Sequence, residues 1–245
     1  MRGLTTAWFW LVVALTLPVC FCLAVGVLLV TAPFDRRRRA LHHVVTFWCH
    51  QYLRACWPLW RVRVEGRELL PKGPCVLIAN HQSMADILAL MGLRYPFKFV
   101  SKASLFDIPF IGWLMRRMHY VAIERGKLPS TKEMLAQCEA LLRAGEPVLI
   151  FPEGTYASGP QRIRFKRGAF TLAQTCQVPL VPIVVQGTSE LVFEDGPTFA
   201  ARSDVRVTVM PPMPPPGPTD SDEAFARTLE RHYAEWLGQP FPPHP

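Results

Sequence analysis

The sequence predicts an α/β protein, a largely parallel or mixed sheet flanked by helices, with membrane-embedded helices at its N-terminus. Three observations carry this. Apolar runs of strand length recur at residues 75–79, 97–100, 119–123, 147–151, 179–185 and 205–210. Helical patterns fall between several of them, and strand–helix alternation belongs to parallel sheets. Ahead of all this, no charged residue occurs between positions 7 and 33.

The totals narrow the classes. A chain of 245 residues holds one large domain and a short appendage. Half of it is hydrophobic, and its net charge is +8. Basic charge clusters beside the apolar N-terminal segment, so an anionic membrane surface fits better than nucleic acid, for which no interleaved basic and aromatic groove pattern exists. The seven cysteines have no metal-ligand spacing, and an odd count without a framework fits a reducing compartment.

In chain order, residues 7–33 would reach about 40 Å as a helix, more than the ~30 Å hydrocarbon core. The run is too long for a signal peptide, and Arg2 is the sole basic residue before it. Four arginines at 36–39 put the following chain on the cytoplasmic side. Pro18 and Gly26 also permit a kinked hairpin within one leaflet. Residues 40–64 mix Trp48, Tyr52, Trp57 and Trp60 with His and Arg, which suits the headgroup layer better than an ordinary packed helix. We divide the chain into N-terminal anchoring helices at 1–61 and a globular domain at 62–245.

Within that domain, Ser130-x-x-Glu133 is expected to cap a helix that stops near Gly145, and residues 168–176 form another. The proline-rich stretch 211–218 can be neither helix nor central strand. Ser221 caps a last helix to about residue 237. No internal repeat is present.

The chemistry centres on residues 75–86. The apolar run ends at Asn80 and His81, Ser83 follows, and a helical pattern begins at Met84. His81 thus sits at a strand's carboxyl end, where open α/β sheets hold ligands. With Ser83 as N-cap, Asp86 falls at N3 in the first turn, where it could meet a His81 kept in the loop. On these residues alone Ser83-x-x-Asp86 is equally a capping box. Other strands end alike: in Ser101-Lys102, in Glu124-Arg125-Gly126, and in Pro152-Glu153-Gly154-Thr155, with the basic run 162–167 next. A basic run can be a solvated face, but this shared position favours a phosphate-binding rim.

The ordered blocks NHQSMAD (80–86), VAIERG (121–126), FPEGT (151–155) and VPIVV (181–185) resemble the glycerolipid acyltransferase family, most nearly its 1-acylglycerol-3-phosphate acyltransferases. The resemblance covers about residues 60–210. It implies a glycerol-3-phosphate acyltransferase-like fold with a membrane-embedded N-terminal helical pair. It also implies transfer of an acyl group from acyl-CoA or acyl carrier protein to lysophosphatidic acid, and the arginines at 36–39 place that reaction at the bilayer's cytoplasmic face. By the same resemblance His81 is the general base and Asp86 orients it. Arg125 binds the acceptor phosphate, and Glu153, Gly154 and Thr155 shape the acceptor pocket. Lys102, with Pro109 and Gly112, belongs to a segment bringing a second basic residue. Many members have Arg directly after FPEGT, where this chain has Tyr156. Arg162, Arg164 or Lys166 could compensate, or the acceptor could be a lyso-ornithine lipid or lysophospholipid.

The residues suit that chemistry. A neutral imidazole can take an alcohol's proton as the alcohol attacks a thioester, then return it to the departing thiolate. No acyl-enzyme, metal or bound cofactor is required. A thioesterase would not need the basic rim, and a non-catalytic membrane-binding protein would not need His81, Asp86 and Glu153 together.

Overall fold

The computed structural model describes residues 2–154, 164–191, 198–200, 202–217 and 221–239. In chain order the elements are α1 (Arg2–Thr31), α2 (Arg39–Arg54), β1 (Trp60–Glu65), β2 (Val76–Ala79), α3 (Ala85–Met91), β3 (Lys98–Lys102) and α4 (Ile111–Arg117). There follow β4 (Val121–Ile123), α5 (Leu128–Arg143), β5 (Val148–Ile150), α6 (Gly168–Cys176), β6 (Leu180–Gln186), α7 (Thr188–Leu191), β7 (Ser203–Val209) and α8 (Asp222–Leu237). Seven strands hydrogen-bond in the order β1-β7-β6-β2-β5-β3-β4. The pairs β1–β7, β2–β5, β2–β6, β3–β4 and β3–β5 all run parallel. An α/β sheet flanked by helices is therefore what the chain builds.

Two compact units divide the chain. The first comprises Met1–Arg67, Gln82–Pro96 and Val185–Thr208. Its helix α1 is long and apolar enough to cross a membrane, with a mean hydropathy of 2.7 and Pro18 inside an otherwise continuous helix. Most of α1's large side chains are exposed, but Phe9 is buried against Phe199 at 4.3 Å and Trp60 at 5.5 Å. Tyr52 joins this cluster, and the Trp60 indole donates to the Ala200 carbonyl at 3.0 Å. Tyr52 and Trp60 therefore turn into the core and not toward headgroups, because the aromatic rings of α1 offer them apolar partners. Trp57 remains 72% exposed.

The second unit comprises Glu68–His81, Phe97–Val184 and Val209–Pro245. Its central strands β2 and β5 are wholly buried, which is why they read as continuous apolar runs. The core lies between them and α5, α6 and α8, through Cys138, Leu142, Phe170, Ala173, Leu229 and Tyr233. Tyr233 spans neighbouring strands: its hydroxyl donates to the Ile78 carbonyl at 2.6 Å and accepts from the Ile183 amide at 3.0 Å. Helix α8 starts at Ser221, whose side chain accepts from the Ala224 amide.

Three local expectations change. Helix α5 starts at Leu128 with Pro129 in its first turn, and Ser130 accepts from the Glu124 amide instead of capping. Proline's preset φ and missing N–H suit the first helical turn. Strand β3 runs to Lys102, so Ser101 and Lys102 form its last two residues and do not follow it. Helix α3 has Met84 at its N-cap, which puts Asp86 at the second helical position.

Candidate active site

Parallel strands bring their carboxyl ends to one edge, and in the second unit that edge gathers most of the residues singled out from the sequence. β2 leads into Asn80 and His81, β5 into residues 151–154, β3 ends at Lys102, and β4 leads into Glu124 and Arg125. The strand order β2-β5-β3-β4 sets their sequence along the rim, about 14 Å from first to last at ~4.8 Å per strand. The pairing of Lys102 with Ile123 puts Lys102 level with the end of β4, two residues from Arg125. Lys102 and Arg125 are both exposed.

His81 is only 7% exposed. Its imidazole stacks on the Phe151 ring with centroids 4.1 Å apart and planes 19° from parallel. Its backbone amide donates to Glu153 Oε1 at 3.0 Å, so the β5 turn fixes the strand end that carries the imidazole. That turn closes with the Gly154 amide on the Phe151 carbonyl at 3.1 Å. Gly154 has φ 77°, and a Cβ there would lie 2.5 Å from Lys166 Nζ. The glycine thus meets two demands at once: a left-handed turn and the close approach of an ammonium. The Lys166 amide in turn donates to the Pro152 carbonyl at 2.8 Å, which ties the basic segment to the same turn. His81, Glu153, Gly154 and Lys166 therefore form one cluster. Thr155, Tyr156 and Arg162 lie outside the described residues.

Asp86 belongs to the first unit and is fully buried. Its Oδ2 accepts from the amides of Gln82 at 2.6 Å and Ser83 at 2.9 Å, and its Oδ1 accepts from the Thr188 hydroxyl. Ser83 Oγ donates to the Thr188 carbonyl at 2.9 Å and accepts from the Ala85 amide at 3.2 Å. Half of a capping box is present: the carboxylate reaches back to Ser83 N–H, while the serine hydroxyl serves the amide two residues on. The carboxylate does more than cap, because it also holds Gln82 N–H, the peptide immediately after His81.

Sequence reasoning missed Thr188. It follows Gly187, whose φ of 83° and lack of a Cβ let the chain pass against the Asp204 carbonyl. Its signal was present: β6 leads into Gly187-Thr188, a strand followed by glycine and a hydroxyl, as the strand before Gly154-Thr155 is. Phe151 was read only as a strand residue, although it carries the imidazole's stacking partner. Among the described residues, no group of three or more His, Cys, Asp or Glu could hold a metal ion.

Residues 61–186 match the Acyltransferase family, and the chain belongs to it. It is 36% identical over 210 residues to a chloroplastic 1-acyl-sn-glycerol-3-phosphate acyltransferase of Brassica napus, covering 80% of this chain and 60% of that protein. It is 40% identical over 212 residues to a 1-acyl-sn-glycerol-3-phosphate acyltransferase of Chlamydomonas reinhardtii, covering 85% and 62%. A Pseudomonas aeruginosa protein of the same name is 34% identical over 160 residues, covering 62% and 59%. The chain thus spans about 60% of the length of these curated relatives. Among solved structures, the 1-acyl-sn-glycerophosphate acyltransferase of Thermotoga maritima superposes with a TM-score of 0.74 over 99% of this chain and 98% of that one, at 24% identity. That likeness carries the fold.

Proposed function

We propose that the protein transfers a fatty acyl group from an acyl thioester to the sn-2 hydroxyl of 1-acylglycerol-3-phosphate, forming phosphatidic acid for phospholipid synthesis. The observation that carries this is the His81 imidazole, stacked on Phe151 at a parallel sheet's carboxyl edge with the Lys166 ammonium held one turn away at Gly154. The names of the relatives supply the acceptor, lysophosphatidic acid.

His81 takes the proton of the sn-2 hydroxyl as the oxygen attacks the thioester carbonyl. Asp86 sets the imidazole's tautomer and stabilises its charged form, as the acid of a triad does. The attack leaves a tetrahedral intermediate at the former carbonyl carbon. Collapse expels the thiolate, which His81 protonates, so the imidazole ends neutral and no acyl-enzyme forms. Lys166, Lys102 and Arg125 hold the acceptor phosphate, with Glu153, Gly154 and Thr155 shaping its pocket. The donor is a thioester of coenzyme A or acyl carrier protein, and no bound cofactor takes part. Helix α1 anchors the protein in the bilayer, and the arginines at 36–39 keep the catalytic edge on the cytoplasmic face.

The test is purified protein, a radiolabelled acyl thioester and a panel of acceptors: lysophosphatidic acid, a lysophospholipid and lyso-ornithine lipid. Label appearing in phosphatidic acid is the expected result. Label in another acceptor reassigns the headgroup. Label only in free fatty acid makes the protein a thioesterase, and no turnover of the thioester overturns the enzymatic reading.

A further inference from the structure

β3 runs from Lys102 straight into a 3₁₀ turn at Ala103–Asp107 and then into α4. Between the turn and the helix the chain puts three large apolar side chains into solvent within four residues: Ile108 is 40% exposed, Phe110 53% and Ile111 40%. Phe110 adopts φ 63° and ψ −54°, a region that L side chains rarely occupy. Gly112 sits so close to the Phe106 carbonyl that no Cβ would fit, so the close turn that presents Phe110 is built into the fold.

The surroundings name the partner's chemistry. Residues 102–127 carry five basic and two acidic side chains, a net +3 in one short stretch of the second unit. The Arg116 guanidinium lies 5.9 Å over the Phe106 ring, and that of Arg117 lies 5.3 Å over Trp113. Aromatic rings paired with arginines beside exposed Ile and Phe are what the boundary between headgroups and acyl chains accommodates. A protein partner would also cover apolar side chains, but the positive excess around them selects an anionic surface. Lys102 and the β4 end that leads to Arg125 are neighbours at the same sheet edge, so seating this loop in a leaflet brings the basic rim to headgroup level.

We infer that Ile108, Phe110 and Ile111 form a membrane-inserting tip of the second unit, distinct from α1, that seats the sheet's carboxyl edge on an anionic leaflet. The inference shares with the proposed function the premise of a membrane-borne substrate, but its test reads insertion and not turnover. Full-length protein carrying p-benzoylphenylalanine at position 110 is reconstituted into vesicles of phosphatidylethanolamine and phosphatidylglycerol containing a clickable phospholipid. This analogue keeps the phenylalanine backbone and ring, so the tip's fold is retained. A control protein carries it at Glu133, on the exposed face of α5 in the same unit.

Irradiation should label position 110 with lipid at least tenfold more than position 133. Phe110→Asp should raise the KM for acceptor presented in vesicles at least fivefold while leaving that for a soluble short-chain acceptor unchanged. Equal lipid labelling at the two positions overturns the inference, as does a crosslink at 110 that goes mainly to a second copy of the chain. Strong lipid labelling with no acyl transfer to any acceptor keeps the inserting tip and overturns the proposed reaction. Background labelling with normal transfer does the reverse.

Discussion

Asp86→Asn separates a structural carboxylate from a catalytic one. The carboxylate accepts three hydrogen bonds, from the amides of Gln82 and Ser83 and from the Thr188 hydroxyl, and is fully buried. An asparagine oxygen can keep both amides, and Thr188 can rotate to accept from the new NH2, since its hydroxyl also lies 3.2 Å from Gln82 Oε1. Bonds to a charged acceptor are worth about 1.5–3 kcal/mol each and neutral ones about 1, so the substitution costs roughly 2–3 kcal/mol of stability. The fold survives that. Under the proposed dyad the lost charge is the one that fixes the tautomer of His81, and its loss should lower kcat by about 10²–10⁴-fold, or ~3–6 kcal/mol of transition-state stabilisation. The assay is kcat at saturating lysophosphatidic acid and acyl thioester, normalised to the folded fraction from a thermal melt in detergent. A variant that turns over within threefold of the parent, however destabilised, refutes the dyad and leaves Asp86 as a loop clamp.

If Arg125 holds the acceptor phosphate as proposed, Arg125→Ala should raise the KM for the acceptor about five- to tenfold and leave that for the thioester unchanged, since the contact of an exposed arginine is screened. Steady-state kinetics with each substrate varied in turn decides it, and a rise for the thioester alone defeats the assignment. Tyr233→Phe leaves the Ile78 carbonyl and the Ile183 amide without their phenolic partner and should cost about 3 kcal/mol by chemical denaturation. Burial also pushes the Tyr233 phenol above its ordinary value of 10.0. The neutral phenol is the folded form, so its contribution is whole below pH 10 and is lost as pH rises further. The parent should therefore lose stability above about pH 10 more steeply than Tyr233→Phe does, and equal alkaline slopes would contradict the buried phenol. Finally, the proposed anchoring through α1 predicts that the full chain stays with membranes through a high-salt wash, since burial of an apolar helix in lipid is not screened. A C-terminal tag should be protected in sealed spheroplasts, and digestion of that tag from outside would reverse the topology.

The sequence by itself determined every described strand but β1 (Trp60–Glu65), which fell in the stretch read as interfacial, together with the charge-free N-terminal helix and the rim. Burial on both faces makes β2 and β5 apolar throughout, and the polar residue after each strand marks a sheet's carboxyl edge without reference to distant chain. His81, Lys102, Arg125, Glu153 and Gly154 were legible for that reason. The tertiary structure alone decided the strand order that puts β5 between β2 and β3, and so made Phe151 and Glu153 the neighbours of His81. It joined Thr188 to Asp86 across 102 residues of chain. It turned Tyr52 and Trp60 inward, because Phe9 and Phe199 were there to receive them. It also moved the start of α5 back to Leu128 and took Ser130 to the Glu124 amide. Periodicity and turn chemistry are written within a few residues. The partner of a buried carboxylate or an aromatic ring is chosen by whichever distant segment the fold brings against it, and local sequence carries no record of that choice.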